Sequence, residues 1–487
     1  KALTLNADIN GTSTLELADA KTLTTTAGDL TIQAKEFLNV SNTAAKIVVA
    51  GGQLVVDADG GIGNVNVTTG AALALETILS HANDTVTITT TAGAAITTTE
   101  DISMAGSLVV TNDATANIIA NSISAKALTL NAKTDGSATL ELANVETLTT
   151  TGGALTIKAK EFLNVGNAAA KISVTGGNLV IDAENATGNV AVTTASALSL
   201  GALKGVDADV VTITTTGTAN LALGTSISTN DITLNLTSAG TIIGTDTSIT
   251  VGSLAVDSAG VFNIGASGNI TTDGDGDSTG NVSIKATGVT AGNITTTAQT
   301  ASADASGSVV MTADGLVAGT FMAGAVSVGA ITTTGTVGAV GGTNGGVAGD
   351  IVIKANSLAA TGALVSTGGA GVGGNNEGGA AGDISLLSNT GTITLGGVIT
   401  ATGGLAVTGG SGLNGAAGDI VITQQAASRS STLTIGNAIT AIPGAKSGTS
   451  AAGPVGSITI TAGNVTVSAA IKASTVNIIA DSTYSQG

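Results

Sequence analysis

The sequence predicts an all-β protein built as a single-stranded parallel β-helix, that is, a β-solenoid with almost no α-helix. Residues 1–75 align without a gap on residues 126–200, and about two-thirds of the positions are identical. Short apolar-x-apolar runs recur along the whole chain, whereas large rings are rare, with four Phe, one Tyr and no Trp. A fixed offset is the signature of an array, and small or β-branched side chains suit thin stacked layers of strand.

The first elements are short strands whose apolar residues alternate with Thr, Asn or Asp. Because the alternation has a period of two, one side of each strand faces a core and the other faces solvent. A coil of about 25 residues then gives roughly 19–20 coils over the 487 residues. Examples of these strands are Leu3-Thr4-Leu5, Leu15-Glu16-Leu17, Leu30-Thr31-Ile32, Ile47-Val48-Val49, Leu54-Val55-Val56, Val65-Asn66-Val67 and Leu73-Ala74-Leu75.

The next elements are corners, which a recurring unit of Gly, a small polar residue and a strand indicates. Glycine tolerates the backbone of a tight corner, and Asn or Asp can hydrogen-bond to the turn. We interpret each unit as one corner of a coil. The units begin at Gly28, Gly52, Gly106, Gly177, Gly280, Gly349, Gly382, Gly418 and Gly456.

Two sections follow from the spacing of these corners. Residues 1–250 are predicted to be a compact solenoid with a 125-residue duplication (1–125 and 126–250), each copy forming five coils. Residues 251–487 are predicted to continue the solenoid with long Gly-rich loops on one edge. These loops are interpreted either as a binding face or as tolerated loop growth, which costs little free energy. They are Gly341–Gly346, Gly368–Ala381, Gly409–Ala417 and Ser447–Val455.

The charge balance limits the partners of the chain. The formal net charge is −18, which argues against a nucleic-acid surface and against docking on anionic lipid. There is no Cys, so disulfides and thiolate metal sites are excluded. No apolar run approaches the length of a transmembrane helix, so no membrane insertion is expected in this segment.

The last coils carry a resemblance to a known family. Gly349-Asp350-Ile351-Val352-Ile353-Lys354-Ala355, then Leu358 and Gly362–Thr367, then a Gly-rich stretch into Gly382-Asp383-Ile384, resembles the repeat of filamentous-haemagglutinin-type and autotransporter-passenger exoproteins. The pattern matches specifically over about residues 345–487, and the rest of the chain shares only its general character. The resemblance implies a right-handed parallel β-helix that is secreted as a passenger or shaft.

One local cluster has the residue types of a metal site. Asp273, Asp275 and Asp277 alternate with glycine, and such carboxylates can wrap a hard cation such as calcium. However, position 12 of a calcium-binding loop would be Ile284 rather than Glu. A calcium site and an acidic solvated turn therefore both remain open, and no other cofactor is expected.

Three further patterns have a structural interpretation. Asp57 and Asp59 recur as Asp182 and Glu184, but duplication without cations or aromatic sugar platforms favours a structural role over glycosidase chemistry. Threonine triplets such as Thr295–Thr297 and Thr332–Thr334 invite an ice-binding interpretation. Their spacing in the sequence is irregular, which favours a Thr-rich strand face of high β-propensity. The single His81 is assigned no role.

The sequence therefore predicts a non-enzymatic structural protein at the bacterial cell surface or outside the cell. It would be the shaft of an adhesin or a protomer of a surface or matrix fibre. Because the chain begins in mid-repeat and ends without an amphipathic cap, end-to-end stacking into filaments is a further hypothesis. The alternatives are a passenger that binds glycans or protein receptors on host or neighbouring cells and, less favoured, a β-helical polysaccharide-degrading enzyme.

Overall fold

The computed structural model contains parallel β-strands and no helix among the residues it describes, so the predicted all-β parallel solenoid is confirmed. The chain forms two compact units, Lys1–Ala222 and Leu223–Gly487, and the strand Leu221–Leu223 contains the boundary. The described residues are all except 8–12, 18–21, 39–46, 50–51, 59, 71, 92–94, 113–117, 134–137, 143–145, 160, 164–171, 184–187, 206–208, 230–231, 275–279, 299–304, 314–323, 340–341, 390, 408–410, 426–431, 446–450 and 487.

The strands of unit 1 stack in parallel columns. Column A contains Leu3–Asn6, Leu30–Gln33, Leu54–Ala58 and the second half of Leu73–Ser80. Column B contains Thr14–Glu16, Glu36–Leu38, Val65–Thr69, Thr85–Thr90, Ser107–Asn112, Leu128–Ala132, Leu155–Lys158, Leu179–Asp182 and Leu198–Lys204. Column C contains the first half of Leu73–Ser80, then Ile96–Thr98, Ile118–Ala120, Thr139–Leu142, Glu161–Leu163, Asn189–Thr194 and Val210–Thr215.

Two shorter runs complete the strands of unit 1. One is the pair Leu23–Thr25 and Ile47–Val49. The other contains Ile102–Ser103, Ile123–Ala125, Leu148–Thr150 and Ile172–Val174.

Unit 2 also stacks its strands in three columns. Column D contains Ile242–Gly244, Val261–Asn263, Gly288–Thr290, Ala325–Val328, Ser357–Ala360, Ile393–Leu395, Thr432–Ile435 and the second halves of Ser457–Val467 and Thr475–Gln486. Column E contains Ser226–Ser228, Ser248–Val251, Ile270–Gly274, Ile294–Ala298, Ile331–Thr334, Leu364–Thr367, Ile399–Thr402, Ile439–Ile442 and Ile471–Lys472. Column F contains Thr233–Ser238, Ser253–Ser258, Val282–Ala286, Val309–Ala313, Ile351–Ala355, Ile384–Ser388, Ile420–Gln424 and the first halves of Ser457–Val467 and Thr475–Gln486.

The core of each unit is formed by the inward side chains of these strands. Along Leu54–Ala58 and Thr85–Thr90, buried and half-buried positions alternate, as the period-two pattern requires. The inward residues are mostly Leu, Ile, Val and Ala, and most of them are fully buried. Phe37, Phe162 and Phe262 are fully buried too, so single rings fill individual layers.

The duplication does not advance the chain by five whole coils, in contrast to the expectation from the sequence. The strand Leu73–Ser80 occupies two columns, because Leu73 is paired with Ile96 of column C while Ile78 is paired with Val56 of column A. One copy of the 125-residue repeat therefore advances the chain by a whole number of coils plus one column. Leu3–Asn6 lies in column A, whereas its copy, within Leu128–Ala132, lies in column B.

The duplicated residues keep the same neighbours on adjacent coils despite this change of column. Phe37 of column B is paired with Val65, and its copy Phe162 of column C is paired with Val190, the copy of Val65. Both rings are fully buried. The duplicated segment therefore keeps its nearest neighbours while its outward residues face a different side of the solenoid.

Candidate functional surfaces

The predicted calcium loop is only partly within the described residues. Asp273 is half-buried in column E, where its register partner is Thr297. Asp275 and Asp277 lie outside the described residues. In the part of the chain that is described, no group of three or more His, Cys, Asp or Glu is placed to hold a metal ion. Calcium binding at these three aspartates therefore stays a prediction.

The duplicated carboxylates Asp57 and Asp182 make equivalent contacts with the coil before them. Gln33 Nε2 donates to Asp57 Oδ2 at 3.0 Å. The copy of Gln33 is Lys158, whose Nζ lies 3.7 Å from Asp182 Oδ2. A hydrogen bond donated by a neutral amide in one copy is thus replaced by an ion pair in the other, and both join adjacent coils of the solenoid. Their predicted partners, Asp59 and Glu184, lie outside the described residues.

A second duplicated pair, Asp84 and Asp209, is buried and was not identified from the sequence. Asp84 is 2% exposed and its carboxylate accepts hydrogen bonds from Gly63 N at 2.8 Å and His81 N at 3.0 Å. Asp209 is 1% exposed and accepts from Gly188 N, the copy of Gly63, at 2.7 Å. Carboxylate acceptors of this kind satisfy backbone donors that would otherwise be buried without a partner. These aspartates therefore fix corners, and their recurrence at the 125-residue offset is the signal that could have revealed them.

The polar residue of the corner unit forms an exposed ladder along unit 2. Asp383 N donates to Asp350 Oδ1 at 2.8 Å, and Asp419 N donates to Asp383 Oδ1 at 2.7 Å. Ser457 N then donates to Asp419 Oδ1 at 2.7 Å. Each side chain therefore satisfies the backbone donor of the next coil, which explains why the corner unit carries a short polar acceptor after its glycine.

Buried hydroxyl groups of column E hold the same corners from the inside. Thr296 Oγ1 donates to Gly307 O at 2.6 Å, and Thr333 Oγ1 donates to Gly349 O at 2.7 Å. Ser366 Oγ donates to Gly349 O at 3.2 Å and accepts from Gly382 N at 2.7 Å. The intervening segments differ in length, yet each returns to a corner glycine fixed by a hydroxyl. These bonds keep coils of unequal length in one register.

The Gly-rich insertions between columns E and F are ordered by backbone hydrogen bonds. We call their described residues, 335–339, 342–349, 368–382, 403–407, 411–418, 443–445 and 451–456, the glycine fin. In each insertion an outgoing arm leaves a column E strand and a returning arm leads into a column F strand. Outgoing arms bond to each other, as from Gly338 N to Ala370 O at 2.8 Å, and so do returning arms, as from Ala348 N to Ala380 O at 2.9 Å.

A second set of hydrogen bonds crosses between the two kinds of arm. Each donor belongs to one arm and each acceptor to another, so the bonds run through the middle of the fin. In order they are Gly346 N to Thr336 O, Gly369 N to Gly346 O, Gly379 N to Gly369 O, Gly404 N to Gly379 O and Gly415 N to Gly404 O, each at 2.8 Å, and Gly444 N to Gly415 O at 3.2 Å.

Glycine is required in this lattice because the backbones approach too closely for a side chain. A Cβ on Gly369 would overlap the carbonyl of Thr336, and one on Gly379 would overlap the carbonyl of Gly346. Gly404 and Gly415 are blocked in the same way by the carbonyls of Gly369 and Gly379. The fin is therefore a packed glycine layer rather than a set of flexible loops.

Apolar side chains project from the outer faces of the fin. Val337 is 61% exposed, and Leu405, Leu413 and Val347 are each close to 45% exposed. These residues flank the buried glycines, so the fin presents apolar groups on a backbone that cannot itself rearrange easily. This exposed apolar surface is a candidate contact surface.

Two shallow depressions lie elsewhere on the surface. One is lined by residues that include Val49, Leu73 and Thr97, and the other by residues that include Val261, Asn263 and Thr290. Neither lining contains an ionisable side chain, so these two depressions do not offer the paired acids of a glycosidase.

Among the described residues there is no helix with the length and apolarity to cross a membrane. Comparison with protein-family models, with curated proteins and with solved structures finds no match to this chain.

Proposed function

We propose that the protein is a structural extracellular protein, the shaft of a bacterial adhesin or a protomer of a surface or matrix fibre. The observation that supports the proposal best is the hydrogen-bonded continuity of each unit. Strand columns, corner ladders and the glycine fin all join one coil to the next. In this construction, the polar groups of the chain form hydrogen bonds that resist the separation of coils along the solenoid axis.

The direction of these bonds determines how the chain resists a pulling force. In a solenoid, each coil contacts only its neighbours, so stability is the sum of coil and interface contributions. Force applied at the two ends of such a chain peels one coil at a time against several backbone hydrogen bonds. A shaft that holds a cell-surface contact at a distance needs this resistance.

Single-molecule force spectroscopy on the full chain tests the proposal. Release of one coil of about 25 residues adds about 80–90 Å of contour length, since an extended residue spans at most about 3.3–3.6 Å. Release of a longer coil of unit 2, such as the one from Ile331 to Leu364, adds about 110–120 Å. We expect a series of events with increments of these sizes. A single extension at low force would contradict the role of a shaft. Immunogold labelling of the bacterium that produces the chain tests the extracellular location, and an exclusively cytoplasmic label would contradict it.

Self-association into fibres belongs to the same proposal. Negative-stain electron microscopy of the purified chain at increasing concentration tests it. Filaments whose length grows with concentration would support the fibre, whereas short particles of one size would restrict the proposal to a monomeric shaft.

A second candidate function is a passenger that binds glycans or protein receptors, and the exposed apolar residues of the fin favour it. Val337 and Leu405 lie on outgoing arms, where they are accessible on an ordered support. Binding on glycan and receptor arrays that is lost in Leu405→Asp and kept in Val310→Asp would support it. Val310 is an exposed residue of column F and serves as the matched control. Equal loss in both variants would contradict a site on the fin.

A further inference from the structure

Column E of unit 2 presents a regular outward face. Its strands pair in register from Ile270–Gly274 to Ile439–Ile442, and each pairing is parallel and continuous. In every one of these strands the first and third residues point inward and the second and fourth point outward. The outward residues therefore form two straight files that run across six coils.

Threonine dominates both files. The first file contains Thr271, Thr295, Thr332, Val365, Thr400 and Thr440, and the second contains Asp273, Thr297, Thr334, Thr367, Thr402 and Ile442. Nine of these twelve residues are threonine and Asp273 alone is charged. Three of the six coils carry a complete Thr-x-Thr pair, at 295/297, 332/334 and 400/402, and the irregular spacing of the triplets in the sequence conceals their alignment in one column.

The inward residues keep this face flat. Ile270, Ile294, Ile331, Ile399 and Ile439 form one buried row of a single residue type, interrupted by Leu364. The second inward row contains only small residues, and its hydroxyl groups bond to the corner glycines, as Thr333 does to Gly349. The extra residues of the longer coils lie outside the column E strands, for example in the glycine fin, and none is inserted within a strand of this column. The face is therefore uninterrupted by insertions.

The two files form a two-dimensional lattice of neutral groups. Neighbouring coils place equivalent threonines about 4.8 Å apart, and outward residues within one parallel strand are about 6.6 Å apart. The spacing between coils is close to a repeat distance between oxygen atoms on the prism plane of hexagonal ice. A threonine hydroxyl both donates and accepts hydrogen bonds, as each ice oxygen does, and its methyl group is apolar.

The neighbouring column F lacks these properties. Its outward residues include Asp257, Lys285 and Lys354, and Lys285 Nζ lies 3.6 Å from Asp257 Oδ1. Charged, strongly hydrated side chains at these positions interrupt any lattice of neutral groups. The contrast lies within one unit of one chain, so composition alone does not account for the threonine face.

We infer that column E is an ice-binding face, whose ligand is the surface of an ice crystal. This inference is independent of the proposed role as a shaft. The half-buried threonines hold water in positions that match the crystal, and the absence of charge over five of the six coils removes the cost of desolvating ions. Binding requires the register of the coils, which the corner hydrogen bonds maintain.

Ice recrystallisation inhibition and thermal hysteresis of the full chain test the inference, together with its adsorption to a single ice crystal. We expect Thr332→Lys/Thr334→Lys to raise the concentration needed for inhibition at least about tenfold, because two ammonium groups would be desolvated against the crystal. Thr400→Lys/Thr402→Lys, on another coil of the same face, should give a similar loss.

The matched control is Thr459→Lys/Thr461→Lys, which introduces the same charges on a Thr-x-Thr pair of column F. It should retain the inhibition of the unmodified protein, and circular dichroism on heating should show that all three variants are folded. The inference would be overturned if the unmodified protein fails to inhibit recrystallisation, or if the column F variant loses as much as the column E variants. It would also be overturned if adsorption persists unchanged in both column E variants.

Discussion

Gly369→Ala tests whether the glycine fin is a packed layer. The Cβ of alanine would lie 2.9 Å from Gly335 O and still closer to the carbonyl of Thr336. Its neighbours at this point are backbone atoms, which cannot rotate away as a side chain can. The outgoing and returning arms must therefore move apart around Gly369.

The size of the stability loss caused by Gly369→Ala follows from the hydrogen bonds at this position. Separation breaks the bond from Gly369 N to Gly346 O and strains the bond from Gly346 N to Thr336 O. A buried backbone group left without a partner costs about 1–3 kcal/mol, and overpacking adds about 1–3 kcal/mol. The replacement of glycine by alanine also stabilises the folded state by about 0.4–1 kcal/mol, because alanine restricts the unfolded chain. We expect a net loss of about 3 kcal/mol in the opening free energy of the fin.

Hydrogen exchange followed by mass spectrometry measures this opening locally, which suits a solenoid that need not unfold in one step. A loss of about 3 kcal/mol corresponds to exchange about 100-fold faster in peptides that cover 368–383. The control is Gly436→Ala, because a Cβ on Gly436 meets no atom within 4 Å. Equal exchange in the two variants, at the rate of the unmodified protein, would refute the packed layer.

The remaining predictions concern bonds that join coils. Ser366→Ala removes both an acceptor for Gly382 N and a donor to Gly349 O, so it should lower the free energy of unfolding by about 2–3 kcal/mol. Thr333→Val should cost only about 1 kcal/mol, because Ser366 still serves the Gly349 carbonyl, and the double variant should cost more than the sum. Denaturant unfolding measures all three, and strict additivity would contradict a shared acceptor. Asp84→Ala should cost about 2–3 kcal/mol by leaving Gly63 N and His81 N without the carboxylate, whereas Asp84→Asn should cost less. Thermal denaturation that does not distinguish these two variants from the unmodified protein would contradict the corner role.

The strand pattern was predictable because it depends on neighbours two residues apart. Alternation such as Leu30-Thr31-Ile32 fixes which side chain is buried without knowledge of the rest of the fold. The position of the Gly-Asx corner was predictable from a similarly local pattern, in which Asn or Asp was expected to hydrogen-bond to the turn itself. Its hydrogen bond was not predictable in this way, because Asp350 Oδ1 accepts from Asp383 N on the next coil.

The properties that the sequence concealed depend on how coils of unequal length align. Thr297 and Thr334 are adjacent in column E although 36 residues lie between them in the sequence. The glycine lattice depends on the close approach of separate arms, which composition indicates only as flexibility. The change of column in the duplication depends on Leu73–Ser80, whose register shift joins two columns in one strand.

The register of column E determines the geometry of both the threonine face and the fin. The chain has no Cys, so engineered pairs report register without interference. Thr334 and Thr367 are register partners on adjacent coils, whose Cα atoms should lie about 4.8 Å apart and within disulfide reach. We predict that Thr334→Cys/Thr367→Cys forms an intramolecular disulfide on mild oxidation, and that Thr297→Cys/Thr367→Cys, two coils apart, does not. Failure of the first pair, or equal oxidation of both pairs, would contradict the register.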